Sequence, residues 1–448
     1  MYPFGEDDPV KCLVYFAQIH ETFRRAELDA LGELYGINVE WEDYSDNSPF
    51  SIIKLASRRE ARKLVGRSIL AKGIYELWGV APDYNELHKF VRVNTAKMWP
   101  SCMGKSFKFY VEAFNGKRSQ SEQHRIIEQF AYLGLDGSIS MKNPEMTFNV
   151  MEEYKNKHVK APTRVFLGRL LAVGSRHLVD TYDLKKRHYI GTTSMDAELG
   201  LITANFALTA PGKIAYDPFV GTGSFLVSCS QFGAYTLGSD IDGRQVRGKK
   251  GRSVLSNFKQ YGLVSTYLDG FVSDLTNTPL RKTRFLDAIV CDPPYGVREG
   301  LRVLGSRDPE KAKEPVVRDG ELRYLQDGYI PPKRPYSFLA MLDDILQFAA
   351  DHLVSGGRLC FWMPTANEDF SQLDIPTHPE LEIVSVCVQE FNKWSRRLLT
   401  YSRKKGDPII EQAASRSAEI AEPEKKKVTA DELNTFRKKY FEGFRPVS

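Results

Sequence analysis

Asp217-Pro218-Phe219-Val220-Gly221-Thr222-Gly223-Ser224 stands where a strand-like run, Lys213 to Asp217, gives way to a helical one, Ser224 to Phe232. The two glycines permit a sharp turn, and the first N–H groups of the helix then face whatever fills it. A Gly-x-Gly turn also serves plain tight packing, so the loop alone is a weak signal. The third glycine of the dinucleotide fingerprint is replaced here by Leu226. Asp217, just ahead of the loop, would repel a phosphate and suits a cation.

The strand-like runs that follow carry more carboxylates. Thr236 to Ile241 places Asp240 about 20 residues past the loop, where an acid accepts both hydroxyls of a ribose. Asp242 beside it suits the N-cap of a helix over Arg244 to Phe258. Phe271 to Asp274 ends on Asp274, placed to accept from an adenine amino group. Such acids at successive carboxyl ends of parallel strands converge on one crevice, the ligand site of open α/β sheets. The set favours an adenosine that carries positive charge and no phosphate: S-adenosylmethionine.

A fourth run, Asp287 to Asp292, leads into Asp292-Pro293-Pro294-Tyr295-Gly296. The prolines stiffen the turn and donate no N–H, leaving bare carbonyls. An exocyclic amine donates one hydrogen to the Asp292 carboxylate and one to the Pro293 carbonyl, which aims its lone pair at a methylsulfonium. Tyr295 is placed to stack on a flipped base, a contact worth roughly 1–3 kcal/mol. A proline-rich turn can merely close a strand; this order of residues, after a glycine loop on the first strand, is far more specific.

Together, Asp217 to Gly223 and Asp292 to Tyr295 resemble the class I methyltransferases that modify exocyclic amines. Arg187 to Asp196 (RHYIGTTSMD), followed by Leu201 to Ala210, is similar to the entry helix of the tRNA guanine N2-methyltransferases acting at position 10. Phe109 to Lys117 and Gly134 to Glu145 resemble a THUMP domain. The resemblance implies an α/β protein: a class I Rossmann-like methyltransferase domain over 189–405, its mostly parallel seven-stranded sheet ending on an antiparallel strand. It also implies N-terminal α+β modules, ferredoxin-like over 1–65 and THUMP over 66–165, and a linker over 166–188; by composition alone, 406–448 reads as a charged tail with a short helix. Thr193, Asp217, Pro218, Phe219, Gly221, Thr222, Gly223, Asp240, Asp242 and Asp274 would then line or close the S-adenosylmethionine pocket. The THUMP module would grip tRNA, and a small zinc-containing activator would cover an exposed sheet edge at Thr266 to Val272, where Tyr267, Leu268, Phe271 and Val272 are apolar.

The chain's 448 residues suffice for about three domains, and 62 Lys plus Arg against 57 Asp plus Glu gives only +5. Positive charge is concentrated instead. Between residues 54 and 72 seven basic residues meet one acid, Glu60, and Arg164, Arg169, Arg176, Lys185, Lys186 and Arg187 form a second cluster. Arg58, Arg59, Arg62, Lys117, Lys142, Arg169, Lys185 and Lys186 are the expected RNA contacts. The six cysteines are scattered and no His-Glu-x-x-His occurs, so neither an internal metal site nor a disulfide framework is expected, and zinc would arrive on the partner. No signal peptide or membrane span is read, which points to the cytoplasm. Arg298 to Arg334 is a candidate lid or base-positioning element, and Thr429 with Glu432 a capping box ahead of Leu433. An amino-methyltransferase acting on adenine or cytosine in DNA shares the Asp292 turn, and a non-catalytic RNA-binding scaffold shares the fold. Against the first, nothing looks like a DNA target-recognition domain; against the second, both motifs are intact.

Overall fold

The computed structural model describes residues 5–296, 301–305, 317–318, 320–323, 326, 329, 331–367, 375–392 and 394–406. It divides once, into Met1–Leu178 and Val179–Ser448. In the first unit, β1 (Val10–Phe16), β2 (Glu40–Asp43), β3 (Phe50–Leu55), β4 (Ala71–Ala81), β5 (Phe107–Phe114), β6 (Met146–Glu153) and β7 (Arg164–Val173) form one sheet in the order β2-β3-β1-β4-β7-β6-β5. All neighbours are antiparallel except β5 and β6. Its helices begin on side-chain caps: Ser57 for Arg58–Gly66, Asp83 for Tyr84–Asn94, and a Ser119–Glu122 capping box for Gln120–Glu128. Trp78, Phe148 and Leu167, all essentially inaccessible, anchor the core under the helix Tyr84–Asn94.

This sheet runs across the boundaries expected between the modules. β4 pairs with β1 on one side and β7 on the other, so the two halves share a continuous ladder across the 65/66 boundary. Residues 166–173 are not linker but strand, since the 165/166 boundary cuts β7. Both strands are hard to read locally because charged residues interrupt their apolar pattern. Glu76 in β4 is 2% exposed and is neutralised by Arg58 and by Arg169 of β7.

In the second unit, β8 (Ile214–Asp217), β9 (Tyr235–Asp240), β10 (Tyr267–Val272) and β11 (Leu286–Cys291) are followed by four short strands. Of these, β12 (Arg302–Leu304) pairs with β15 (Lys333–Pro335), and β13 (Val317–Arg318) with β14 (Glu321–Leu322). The main sheet is completed by β16 (Leu353–Ala366), β17 (Leu381–Glu390) and β18 (Trp394–Arg403), in the order β10-β9-β8-β11-β16-β18-β17. The first five run parallel and β18 lies antiparallel between β16 and β17. The expected sheet, with its antiparallel last strand, is thus present. Chain order reverses at β8, and the crevice outside the carboxyl ends of β8, β9 and β11 is a topological switch point. β11 is buried along nearly its whole length, as a central parallel strand requires, and the helix Phe338–His352 packs its apolar side into the same core.

The single helix expected over Arg244 to Phe258 is two, Gly243–Arg247 and Val254–Tyr261. Gly248 and Gly251 both turn at φ +74°, which ends the first, and Ser253 caps the second. Beyond β12 and β15 much of the expected lid lies outside the described residues, as does the tail from 407 on with its capping box. Among the described residues no helix is long and apolar enough to cross a membrane. All six cysteines are buried and unbridged.

Candidate active site

Gly221 and Gly223 sit at φ +48° and +80°, the left-handed region the loop needs. A Cβ at Gly223 would come within 2.7 Å of Val254 Cγ1, whereas one at Gly221 meets nothing closer than 3.9 Å. Gly223 therefore allows the following helices to pack, and Gly221 leaves open space over the loop. Asp240, at the end of β9, holds that loop: its Oδ2 accepts from Gly221 N at 3.0 Å and its Oδ1 from Asp242 N at 2.8 Å. Two of the carboxylate's four lone-pair positions are spent on backbone, leaving two for a diol. Asp242 caps Gly243–Arg247 as expected and pairs with Arg244, which holds its carboxyl below the usual range.

Three acids crowd the crevice. Asp217 is 1% exposed, and burial pushes its carboxyl well above the usual range, with Asp240 and Asp292 adding repulsion. Burial also raises Asp240. Asp292 is raised to about 6 by burial, against the pull of Arg396 and of the Tyr295 hydroxyl that donates to it. A cation entering here would relieve these repulsions, so the donor set fits a sulfonium nucleoside.

Some expected residues serve differently. Asp274 lies beyond the end of β10, and its carboxylate accepts from Thr276 N, Thr276 Oγ1 and Leu304 N, which leaves one lone-pair position for an adenine amine. Tyr295 is half-buried with its hydroxyl on Asp292, a contact absent from the sequence reading. Thr193 is exposed, while its neighbour Ser194 reaches the loop through Thr222 Oγ1 at 2.7 Å. Pro218 is buried, and Phe219 packs against the sheet core.

The chain matches the family described as Tmrp11 THUMP N-terminal domain over residues 10–176, and the RMKL-like methyltransferase domain over 185–303. It is 47% identical to the tRNA (guanine(10)-N(2))-methyltransferase of Saccharomyces cerevisiae, over 87% of this chain and 92% of the relative. It belongs to the tRNA (guanine(10)-N(2))-methyltransferase family. Human tRNA (guanine(10)-N(2))-methyltransferase TRMT11 is 36% identical over 96% of this chain and 95% of the relative. TrmN from Thermus thermophilus, a solved structure, matches 88% of this chain and 99% of its own at 16% identity and a TM-score of 0.44.

For a member of this family the expected RNA contacts divide in two. Lys117, Lys142 and Lys185 are exposed, as is Lys186, which pairs with Asp180 at 2.7 Å. Arg59 and Arg62 are accessible but face Asp7 and Glu6. Arg58 is a correction: it is 4% exposed, and its Nε donates to Glu76 at 2.9 Å. Arg169 is committed to the same carboxylate at 2.7 Å. Both neutralise a buried acid, because an unpaired buried charge costs several kcal/mol.

Supporting residues escaped the sequence reading altogether. Asn257, wholly buried, donates to Thr222 O at 3.2 Å and Tyr189 O at 2.8 Å, and accepts from Tyr189 N, tying the loop to the segment before it. A buried asparagine inside an apolar helical stretch was the available signal. Arg396, from β18, had no local motif to announce it.

Proposed function

We propose that this chain transfers a methyl group from S-adenosylmethionine to the exocyclic N2 of guanosine 10 in tRNA. The observation that carries the chemistry is the Asp292-Pro293-Pro294-Tyr295 turn at the carboxyl end of β11, beside the glycine loop of β8 at the switch point. S-adenosylmethionine supplies the electrophilic methyl group and carries away the electron pair of the broken carbon–sulfur bond. Gly221, Gly223, Asp240 and Asp217 hold it, with Asp242, Thr222 and Thr193 at the rim. Asp292 and the Pro293 carbonyl each accept one hydrogen of the amine, which turns the N2 lone pair towards the methyl carbon. Most of the gain is this orientation. As the new C–N bond forms, N2 becomes cationic and sheds one proton, for which Asp292 is the acceptor in contact.

The THUMP-containing unit binds the tRNA, with exposed Lys117 and Lys142 as its phosphate contacts. A small zinc-containing activator covers β10. The support is the position of β10 at the sheet edge, with Leu268 51% and Val272 50% exposed. Tyr267 turns inward onto Phe258, and Phe271 onto Tyr216, so only Leu268 and Val272 remain as the apolar surface of that strand. A cytoplasmic site of action accords with six buried, unbridged cysteines.

The deciding experiment supplies labelled S-adenosylmethionine with tRNA, with tRNA in which guanosine 10 is replaced by adenosine, and with duplex DNA, in the presence of the activator. Label in N2-methylguanosine of the first substrate alone is expected. Transfer only to DNA overturns the reading.

A further inference from the structure

Arg396 reaches the active-site turn from β18, beyond the residues matched to the methyltransferase domain. It faces Pro364 of β16 and Gln389 of β17 in register. Its Nε and Nη2 both donate to Gln389 Oε1, at 3.1 and 2.7 Å. The guanidinium lies over the Trp362 ring at 5.1 Å and the Phe391 ring at 5.8 Å. Trp362 is itself fully buried, with its Nε1–H on Thr203 Oγ1. Phe391 stacks on Trp394 at 4.4 Å, closing the end of the β17–β18 hairpin. A guanidinium gripped on its edge and its face has little freedom left.

The guanidinium also hydrogen-bonds Tyr295, and its Nη1 lies 3.7 Å from Asp292 Oδ2. That is close enough for strong attraction in a partly buried site and too far for a hydrogen bond. The hydroxyl of Tyr295 engages the other oxygen, Oδ1. The carboxylate is therefore fixed from both ends while Oδ2 still has room to accept an amine hydrogen.

We propose that Arg396 is a positioning residue for methyl transfer, clamping the Asp292 carboxylate as an anion aimed at the target amine. This rests on the role assigned above to Asp292. The clamp is needed because burial opposes the charge of Asp292. Asp217 of β8 is a second acid beside it, Cys291 of β11 is buried, and among the described residues Arg396 and the Tyr295 hydroxyl favour the anion. Without the guanidinium, burial would leave Asp292 protonated over more of the neutral range, and a protonated carboxyl gives up one acceptor position and its charge.

The test compares wild type, Arg396→Met, Arg396→Lys and Gln389→Leu, with the activator present, over about pH 5.5–9. Folding is checked by thermal melting, and kcat and KM are measured for both substrates. For Arg396→Met the acid limb of kcat should move up by about one pH unit, with a roughly tenfold loss on that limb that recovers towards pH 9. KM for S-adenosylmethionine should stay put. Arg396→Lys keeps the charge and should restore most of the limb. Gln389→Leu frees the guanidinium and should shift the limb by a smaller amount in the same direction. A pH-independent loss, or a change in KM for tRNA alone, would overturn the proposal and leave Arg396 a support of the hairpin. The underlying role of Asp292 fails separately, if Asp292→Ala methylates tRNA at the wild-type rate.

Discussion

Asp292→Asn separates the two consequences of burying this carboxylate. The folded-state pKa is about 6, raised by burial, while the unfolded chain titrates near 4. Between those values the folded protein binds more protons than the unfolded chain, so stability falls as pH rises through the window. At about 1.4 kcal/mol for each pH unit between them, the ionised group costs about 3 kcal/mol above pH 6. The side chain keeps 20% of its surface exposed, and screening there brings the expected figure to about 1–3 kcal/mol. Asparagine is a neutral isostere of the protonated acid. The variant should therefore be more stable than wild type at about pH 7.5, melting a few degrees higher, and the difference should vanish below about pH 4. Activity moves the other way. The asparagine carbonyl still accepts one hydrogen, so transfer should persist at a rate lowered about 5–30-fold, the gap between charged and neutral acceptors. Asp292→Ala, with no acceptor, should lose about 100-fold or more. Urea or thermal melts across this pH range, beside initial rates with saturating tRNA, measure both. An asparagine variant less stable than wild type at pH 7.5, or a stability gap that ignores pH, would refute the reasoning.

Other expectations follow from single contacts. Gly223→Ala combines a left-handed backbone with a Cβ 2.7 Å from Val254, and should weaken S-adenosylmethionine binding more than tenfold by equilibrium titration. Gly36→Ala, at φ +66° with nothing within 4 Å, should cost only about 1 kcal/mol and leave that binding intact. Arg58→Ala should destabilise the first unit by roughly 2–4 kcal/mol in denaturant melts, since Glu76 then keeps only Arg169 and the Trp78 Nε1–H among its described partners. Arg59→Ala, whose side chain is 76% exposed, should shift the melt negligibly. Leu268→Glu should abolish co-purification of a co-expressed activator while the chain melts normally, because it charges an exposed edge without touching the core.

The glycine loop and the Asp292 turn were legible because each is a short run whose chemistry is local. Two left-handed glycines, or two prolines after an acid, constrain the backbone wherever they stand, and their order along an α/β alternation fixes them to one crevice. The strands β4 and β7 were not legible, because Glu76 and Arg169 look like surface residues until each is seen to neutralise the other across a ladder. Charge behaved likewise. One acid among seven bases between residues 54 and 72 becomes several when Glu6, Asp7, Glu40, Glu42 and Glu76 are brought in from elsewhere. By itself the sequence determined the fold class and the methyl donor, and it singled out Asp292 as the residue proposed to meet the amine, since these depend on bonded neighbours and strand order. Only the tertiary structure decided which arginines are spent on buried acids, which face of β10 is bare, and that Arg396 stands against Asp292. Electrostatic partners are chosen by distance in space, and spacing along the chain carries no record of it.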